Sequence, residues 1–401
     1  MVKIKLRTKF EIIGALLFIA LLVAISAESV TRTITDSTDN SYTLIRNSKG
    51  NYWAATGANL QTAINDLGSG GGTVWVGSDI TLSSALNIGN YTIVDFEGHN
   101  VILGSDVSFI NLTGGVWYST IRNVNVKISN GQTKDVICLY APPGMGWAYR
   151  KRFNLFENIN IINSYANNYA WTGIHLYLHV GVNNPNGRAS MVFNTFRKIT
   201  MNDCKTGILL GSDNCDAYGG GNSFDDILID GYTTGVEFKI NPSAIGLGFS
   251  ESVFNHVKLQ TAARSTDGFC NITGNDNHFD HCLIWDWYAA TSPNHEWSIT
   301  NRADQTYINA DYMSDLSDAG TDTNIVNPHG ITDNYGATVV ADGGTISHGL
   351  KKTPTVVVCT CSVSGQMVSV TALGSTTFTV AIKKPDGTAG TTQKIYWHAW
   401  A

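Results

Sequence analysis

Residues 221–238 read GNSFDDILIDGYTTGVEF, and near-copies of this stretch stand on both sides of it. Aligned on phenylalanine, the chain gives FNLFENINI, FNTFRKITM, GNSFDDILI, ESVFNHVKL and NDNHFDHCLI, anchored at Phe156, Phe196, Phe224, Phe254 and Phe279 with spacings of 40, 28, 30 and 25 residues. A second register follows in WTGIHL (Gly173), KTGILL (Gly207), TTGVEF (Gly235) and TDGFCNI (Gly268). Repeats of roughly 20 to 50 residues mark a solenoid, in which each unit buries its apolar stripe only by stacking on its neighbours. Each unit alternates apolar and polar residues through strand, turn and strand, with no helical period.

Composition agrees with this pattern. The chain has 401 residues, 43% of them hydrophobic and 14% charged, enough to bury a large core. Its 40 glycines and 10% aromatic content suit turns and pleated surfaces, so an all-β fold is expected.

On these residues the chain resembles the right-handed parallel β-helix of the pectate-lyase-like superfamily. The resemblance covers residues 53–326 and includes the opening TGANLQTAINDLGSGGGTVWV. There, Leu60, Ile64 and Leu67 form a short amphipathic helix that Gly68 to Gly72 stops, and such a helix would plug the open end of the coil. Residues 327–401 read as short antiparallel strands joined by Gly- and Pro-marked turns, a separate small β-sandwich. Its Ser347-His348-Gly349-Leu350, Thr353-Pro354 and Trp397-His398-Ala399-Trp400 resemble the terminal modules of phage tail fibres and tailspikes. Residues 28–52 are polar and expected to form an extended lead-in.

The N-terminus places Lys3, Lys5, Arg7 and Lys9 before an apolar run of fourteen residues, Ile12 to Ile25. A membrane-spanning helix needs about twenty, so residues 1–27 read as a secretory signal cleaved near Ser26 or Ala27, with an uncleaved anchor as the alternative. Both readings place the protein outside the cytosol, secreted or on a cell or virion surface. A net charge of -6, made more negative by loss of that leader, argues against nucleic acid as a partner.

Seven cysteines are too few and too irregular for a disulfide-built fold. Cys204–Cys215 and Cys270–Cys282 could close short loops, or the thiols could pack as small apolar groups. Cys359 and Cys361 share a facing on one strand, which strains a direct bridge, so both are expected in a core.

Stacked coils place equivalent residues about 4.8 Å apart. Each phenylalanine then points inward, the next residue points outward (Glu157, Arg197, Asp225, Asn255, Asp280), and the one after marks a bend (Asn158, Lys198, Asp226, His256, His281). One reading of Asp225-Asp226 is structural, with one carboxylate paired to Arg197 or Lys198 and the other capping a turn. The catalytic reading makes Asp225 and Asp280 an acid/base pair about 9.6 Å apart, tuned by His281 or His256, at the upper edge of what inverting glycoside hydrolysis uses. The Gly-His-Gly and Arg-Ile-Lys of polygalacturonases and the Arg-x-Pro-x-x-Arg of pectate lyases do not occur.

Aromatic side chains offer the sugar-binding candidates, because apolar sugar faces pack on flat rings. These are Trp285, Asp286, Trp287 and Tyr288; Trp171 and Tyr177; and Trp147 and Tyr149, followed by the basic run Arg150-Lys151-Arg152. In LGSDNCDAYGGGN, Asp213 and Asp216 could present oxygens to Ca²⁺ without completing a calcium-loop pattern. His348 and His398 read as turn residues, with metal or sugar contact as the alternative. No cofactor is required.

The expectation is an exported or surface-displayed polysaccharide-binding protein, tailspike- or fibre-like, whose partner is a polysaccharide or cell-surface glycan. Degradation of that glycan is left open, and a homotrimer is compatible with the terminal module. The alternatives are a secreted polysaccharide lyase or glycoside hydrolase with an accessory β-domain, and a structural adhesin or surface-layer protein.

Overall fold

The structure is a computed structural model and describes residues 44–141, 150–165, 169–178, 190–212, 218–240, 248–261, 267–286, 295–309, 316–326, 333–350 and 353–401. The signal-like leader at 1–27 lies outside them. No described helix is long and apolar enough to cross a membrane.

The phenylalanines form a column. Parallel pairing sets Phe156, Phe196, Phe224, Phe254 and Phe279 rung on rung, with Ile121 before and Ile308 after them. All seven side chains are buried. Successive rings stack with centroids 4.9, 5.1, 4.7 and 4.7 Å apart, inside the favourable range for offset aromatic pairs. Each ring removed from water contributes about 1.5–3 kcal/mol. The column runs through the large core of a parallel β-helix, whose strands add in chain order with residue-for-residue register.

Two residues after the column the backbone turns left-handed: φ is 53° at Asn158 and Lys198, 55° at Asp226, and 51° at His256 and His281. Asn, Asp and His enter this region more readily than other residues with a Cβ, whereas Lys there carries a strain of about 1–3 kcal/mol. Asp226 is therefore the corner of its coil. A second corner precedes the column at Phe153, Phe193 and Gly221, with φ of 55°, 57° and 63°. The residue after each is a buried asparagine (Asn154, Asn194, Asn222). Asn154 donates to Asn194 Oδ1 at 2.9 Å, and Asn194 to Asn222 Oδ1 at 3.0 Å. Each of the three also donates to a main-chain carbonyl, Asn154 to Val116, Asn194 to Lys151 and Asn222 to Met191, which offsets the burial of the amides.

The repeated Thr-Gly has a steric cause. A Cβ on Gly207 would lie 2.8 Å from the carbonyl oxygen of Gly235 on the next rung, and one on Gly235 would lie 2.9 Å from that of Gly268. A carbonyl held in a sheet ladder cannot move aside, so glycine recurs wherever the rungs approach this closely.

The expected helix is Gly57–Leu67. Thr56 caps it, its hydroxyl accepting from the Asn59 amide at 3.2 Å, and Gly68 ends it at φ 67°. Leu60, Ala63, Ile64 and Leu67 are buried in the same core as the coil, so the helix covers its first rungs. Of the expected lead-in, residues 28–43 lie outside the described residues and the rest is paired. Leu44–Asn47 and Tyr52–Ala54 pair as an antiparallel hairpin, and Leu44–Asn47 also pairs antiparallel with Gly72–Val76. Ile45 supplies a fully buried anchor that draws this otherwise polar segment into the fold.

The C-terminal part has two three-stranded antiparallel sheets, one of Asp333–Val340, Gln393–Trp400 and Val356–Cys361, the other of Thr345–Ser347, Thr377–Lys383 and Met367–Leu373. They enclose a second core of Ile346, Leu350, Phe378, Val380, Ile382, Ile395, Trp397 and Ala399, against which Cys359 and Cys361 pack. His348 is a buried turn residue: its Nδ1 accepts from the Leu350 amide at 3.1 Å, and its Nε2 lies 3.1 Å from Gly374 O. No disulfide joins the described cysteines, so Cys270 and Cys282 are not bridged to each other. Cys204, Cys270 and Cys282 are buried thiols, while Cys215 lies outside the described residues.

Candidate functional site

The outward side chains one residue past the column form a ladder with strict alternation. In rung order they are Asp95, Arg122, Glu157, Arg197, Asp225, Asn255, Asp280 and Asn309. Each acid accepts from the donor on the rung after it. Arg122 Nε lies 2.8 Å from Asp95, Arg197 binds Glu157, Asn255 Nδ2 lies 2.7 Å from Asp225 Oδ1, and Asn309 Nδ2 lies 2.7 Å from Asp280 Oδ1. Asp225 thus pairs forward with Asn255, not back to Arg197, because Arg197 is already taken by Glu157. Asp225 and Asp280 do share one column two rungs apart. Asn255 stands between them, where a hydrolytic mechanism would need an attacking water. His281 Nδ1 lies 3.1 Å from Asp280 Oδ1, and the imidazole stacks on that of His256 at 5.0 Å.

Parallel to this ladder, at the corner before the column, runs one of exposed aromatic rings that the sequence alignment missed. Tyr91, Tyr118, Phe153 and Phe193 stack at 5.6, 4.9 and 5.2 Å with planes within 12° of parallel. They are 43–51% exposed. A Cβ on Gly221, the next corner, would lie 2.5 Å from the Phe193 ring, so that ring closes the stack over glycine. Because the rings cover one another's faces, their edges face solvent. The edge is the positive side of the aromatic quadrupole and suits the oxygen atoms of a ligand rich in hydroxyl or carboxylate groups. The two ladders flank one narrow sheet face, with Phe153 at the corner before the strand Leu155–Ile162 and Glu157 four residues on, within it.

The predicted sugar contacts fare differently. Trp171 is fully buried in the coil core and offers no ring face to a glycan. Arg150 and Lys151 are buried too, so the basic run is not a solvated patch. Lys151 lies opposite Val116 and Met191 and sends Nζ to the carbonyl oxygens of Tyr140 (2.7 Å) and Thr113 (3.3 Å). Burial lowers the Arg150 guanidinium to about 10 and the Lys151 amine to about 7. Tyr177 is half-buried and stacks on Tyr140 of the preceding rung at 5.6 Å. Trp285 and Asp286 sit opposite Gln260 and Thr261, but their side chains lie outside the described part. Trp147, Tyr149, Asp213, Asp216, Trp287 and Tyr288 lie outside the described residues altogether. His398 Nε2 is 2.9 Å from Asp333 Oδ2, and its ring stacks on Trp400 at 3.7 Å.

No protein-family model matches the chain, and no curated protein matches it. Among solved structures it is similar to the tailspike protein gp49 from Pseudomonas phage LKA1, at 11% identity and a TM-score of 0.27, with 82% of this chain and 67% of that one covered. It is also similar to the tailspike gp61 of Pseudomonas phage phi297, at 13% identity and a TM-score of 0.23, over 80% of this chain and 65% of that one.

Proposed function

We propose that this chain is an exported or surface-displayed polysaccharide-binding β-helix protein, tailspike- or fibre-like, that holds its glycan along the face between the aromatic and polar ladders. One observation carries this reading: four exposed stacked rings run beside an alternating row of acids, arginines and amides at the same rung spacing. A polymer of sugars presents oxygen atoms and hydroxyl groups in regular succession, and such a face can meet them with ring edges on one side and polar side chains on the other. Asp225 and Asp280 belong in this reading to the ladder and carry no acid–base step.

Equilibrium binding to a panel of neutral and uronate polysaccharides tests it. Tyr118→Ala combined with Phe153→Ala removes two rings and weakens binding about tenfold or more, since an aromatic contact contributes about 0.5–1.5 kcal/mol. Far-ultraviolet circular dichroism checks that the double variant stays folded. Unchanged affinity in the folded variant would remove the aromatic ladder from the reading. Sugar ends released by the parent but not by Asp225→Asn would replace binding with hydrolysis.

The proposal extends to self-association. The outer face of the sheet Asp333–Val340, Gln393–Trp400 and Val356–Cys361 exposes Tyr335, Val339, Val356, Val358, Tyr396 and Trp400, while the other sheet exposes fewer large apolar groups, Met367 and Leu373, among Thr345, Ser347, Ser369 and Thr371. An apolar face of this kind suits burial between copies. Light scattering is expected to give the mass of three chains, and Tyr396→Lys with Val358→Lys the mass of one. A monomeric parent would contradict this.

A further inference from the structure

Away from that face, the outward column of the next sheet carries a different chemistry. Ile110–Leu112, Ile137–Ala141 and Thr172–Leu178 pair in parallel, setting Asn111, Cys138 and His175 on consecutive rungs at one outward position. Asp135, just before the middle strand, turns its carboxylate toward them. His175 Nδ1 lies 2.7 Å from Asp135 Oδ2. The sulfur, one imidazole nitrogen and one carboxylate oxygen all lie within 4.8 Å of one another.

Thiol, imidazole and carboxylate are also the components of nucleophilic catalysis. The order is wrong for it, because the carboxylate sits between the other two and the imidazole is not placed to take the thiol proton. Two orphaned atoms point elsewhere. Asn111 Oδ1 and His175 Nε2 are both buried without a hydrogen-bond partner. A buried acceptor left unmet is destabilising by about 1–3 kcal/mol, and it marks a place where a further group fits. With Nδ1 donating to Asp135, Nε2 carries the lone pair, and because no hydrogen bond holds Nε2 it can take the proton instead and leave the Nδ1 lone pair facing the cluster.

We propose that Asp135, Cys138 and His175 bind a borderline-soft divalent transition cation, zinc in the first place, with Asn111 Oδ1 beside the remaining coordination position. Sulfur with nitrogen and one carboxylate oxygen selects zinc, cobalt or nickel over calcium and magnesium, which take oxygen sets. Three protein donors leave one position of a tetrahedron for water, whose hydrogen Asn111 Oδ1 can accept. On binding, the Nδ1 proton of His175 is lost to solvent and Nε2 takes one up, which frees the Nδ1 lone pair for the cation, and the Cys138 proton leaves to solvent as the metal–thiolate bond forms. The site adds a metal to a protein whose glycan face does not use it, and its test does not depend on that face.

Cobalt provides the readout. The full-length protein, reduced and stripped of metal, is titrated with Co²⁺. One equivalent is expected to bring up a thiolate-to-cobalt charge-transfer band in the near ultraviolet with visible d–d bands, and Zn²⁺ is expected to bleach them. Cys138→Ser abolishes the charge-transfer band, and His175→Gln weakens cobalt binding by about 100-fold or more. Zn²⁺ also raises the unfolding midpoint of the parent and not of Cys138→Ser. Should Cys138→Ser fail to fold, Asp135→Asn preserves the thiol and the side-chain volume and is expected to weaken binding by about tenfold or more. No charge-transfer band in the reduced parent, a band that persists in Cys138→Ser, or full affinity in folded Asp135→Asn would overturn the proposal.

Discussion

Phe224→Ala lowers the stability of the coil by about 3–5 kcal/mol. Phe224 is fully buried, and its ring lies between those of Phe196 at 5.1 Å and Phe254 at 4.7 Å, which are themselves fixed by the next rings. Alanine leaves a void that neither neighbour can enter, because each is pinned by the register of its own strand. The lost transfer energy is therefore joined by a cavity term. Phe193→Ala provides the comparison: it removes the same ring from an exposed corner and is expected to shift the midpoint of chemical unfolding far less. Equal shifts for the two variants would mean that the interior column does not hold the coils together.

The second large effect is a rise in stability with pH. Buried Lys151 titrates near 7 in the native state against 10.5 for an ordinary lysine. Below about pH 7 both states carry its proton, and the fold bears the full penalty of an ammonium inside the coil. Above it the native amine is neutral while the unfolded chain still binds the proton, so stability increases by about 1.4 kcal/mol per pH unit. The rise stops near pH 9, where thiols ionise in the unfolded chain but not in the native one, since burial pushes Cys138 and Cys282 up to about 12 from 9.0. Denaturant midpoints measured from pH 7 to 9 are expected to gain about 2–3 kcal/mol. Lys151→Met, which matches Met191 on the neighbouring rung, flattens the gain. A parent whose stability is level over that window would show that Lys151 stays protonated.

The coil could be read from the chain because burial on one side of a short strand imposes a period of two, and five phenylalanines kept that period in phase. The same phase fixed Asp225 as outward and Asp226 as the bend. The aromatic ladder escaped notice for a related reason. Its first two rungs, Tyr91 and Tyr118, precede Val94 and Ile121 instead of a phenylalanine, so an alignment anchored on Phe begins only at Phe153. Pairing along the polar ladder was also hidden: Asp225 has a donor on each side, and only Glu157 binding Arg197 sends it to Asn255. His175 belongs to the coil after that of Asp135 and Cys138, so nothing short of register brings the three together. Trp171 misled in the opposite direction, since a tryptophan in a polar, tyrosine-rich stretch reads as exposed while the coil folds it wholly inside.

Hydroxyl-radical footprinting with and without a saturating bound polysaccharide bears directly on the proposed binding face, because Tyr91, Tyr118, Phe153 and Phe193 are all reactive and open to solvent in the free protein. Binding between the two ladders protects these four rings together and leaves Tyr335 and Tyr396 of the C-terminal sheet unchanged. Protection confined to the C-terminal sheet, with the four rings as reactive as in the free protein, would place the glycan elsewhere and contradict the assignment.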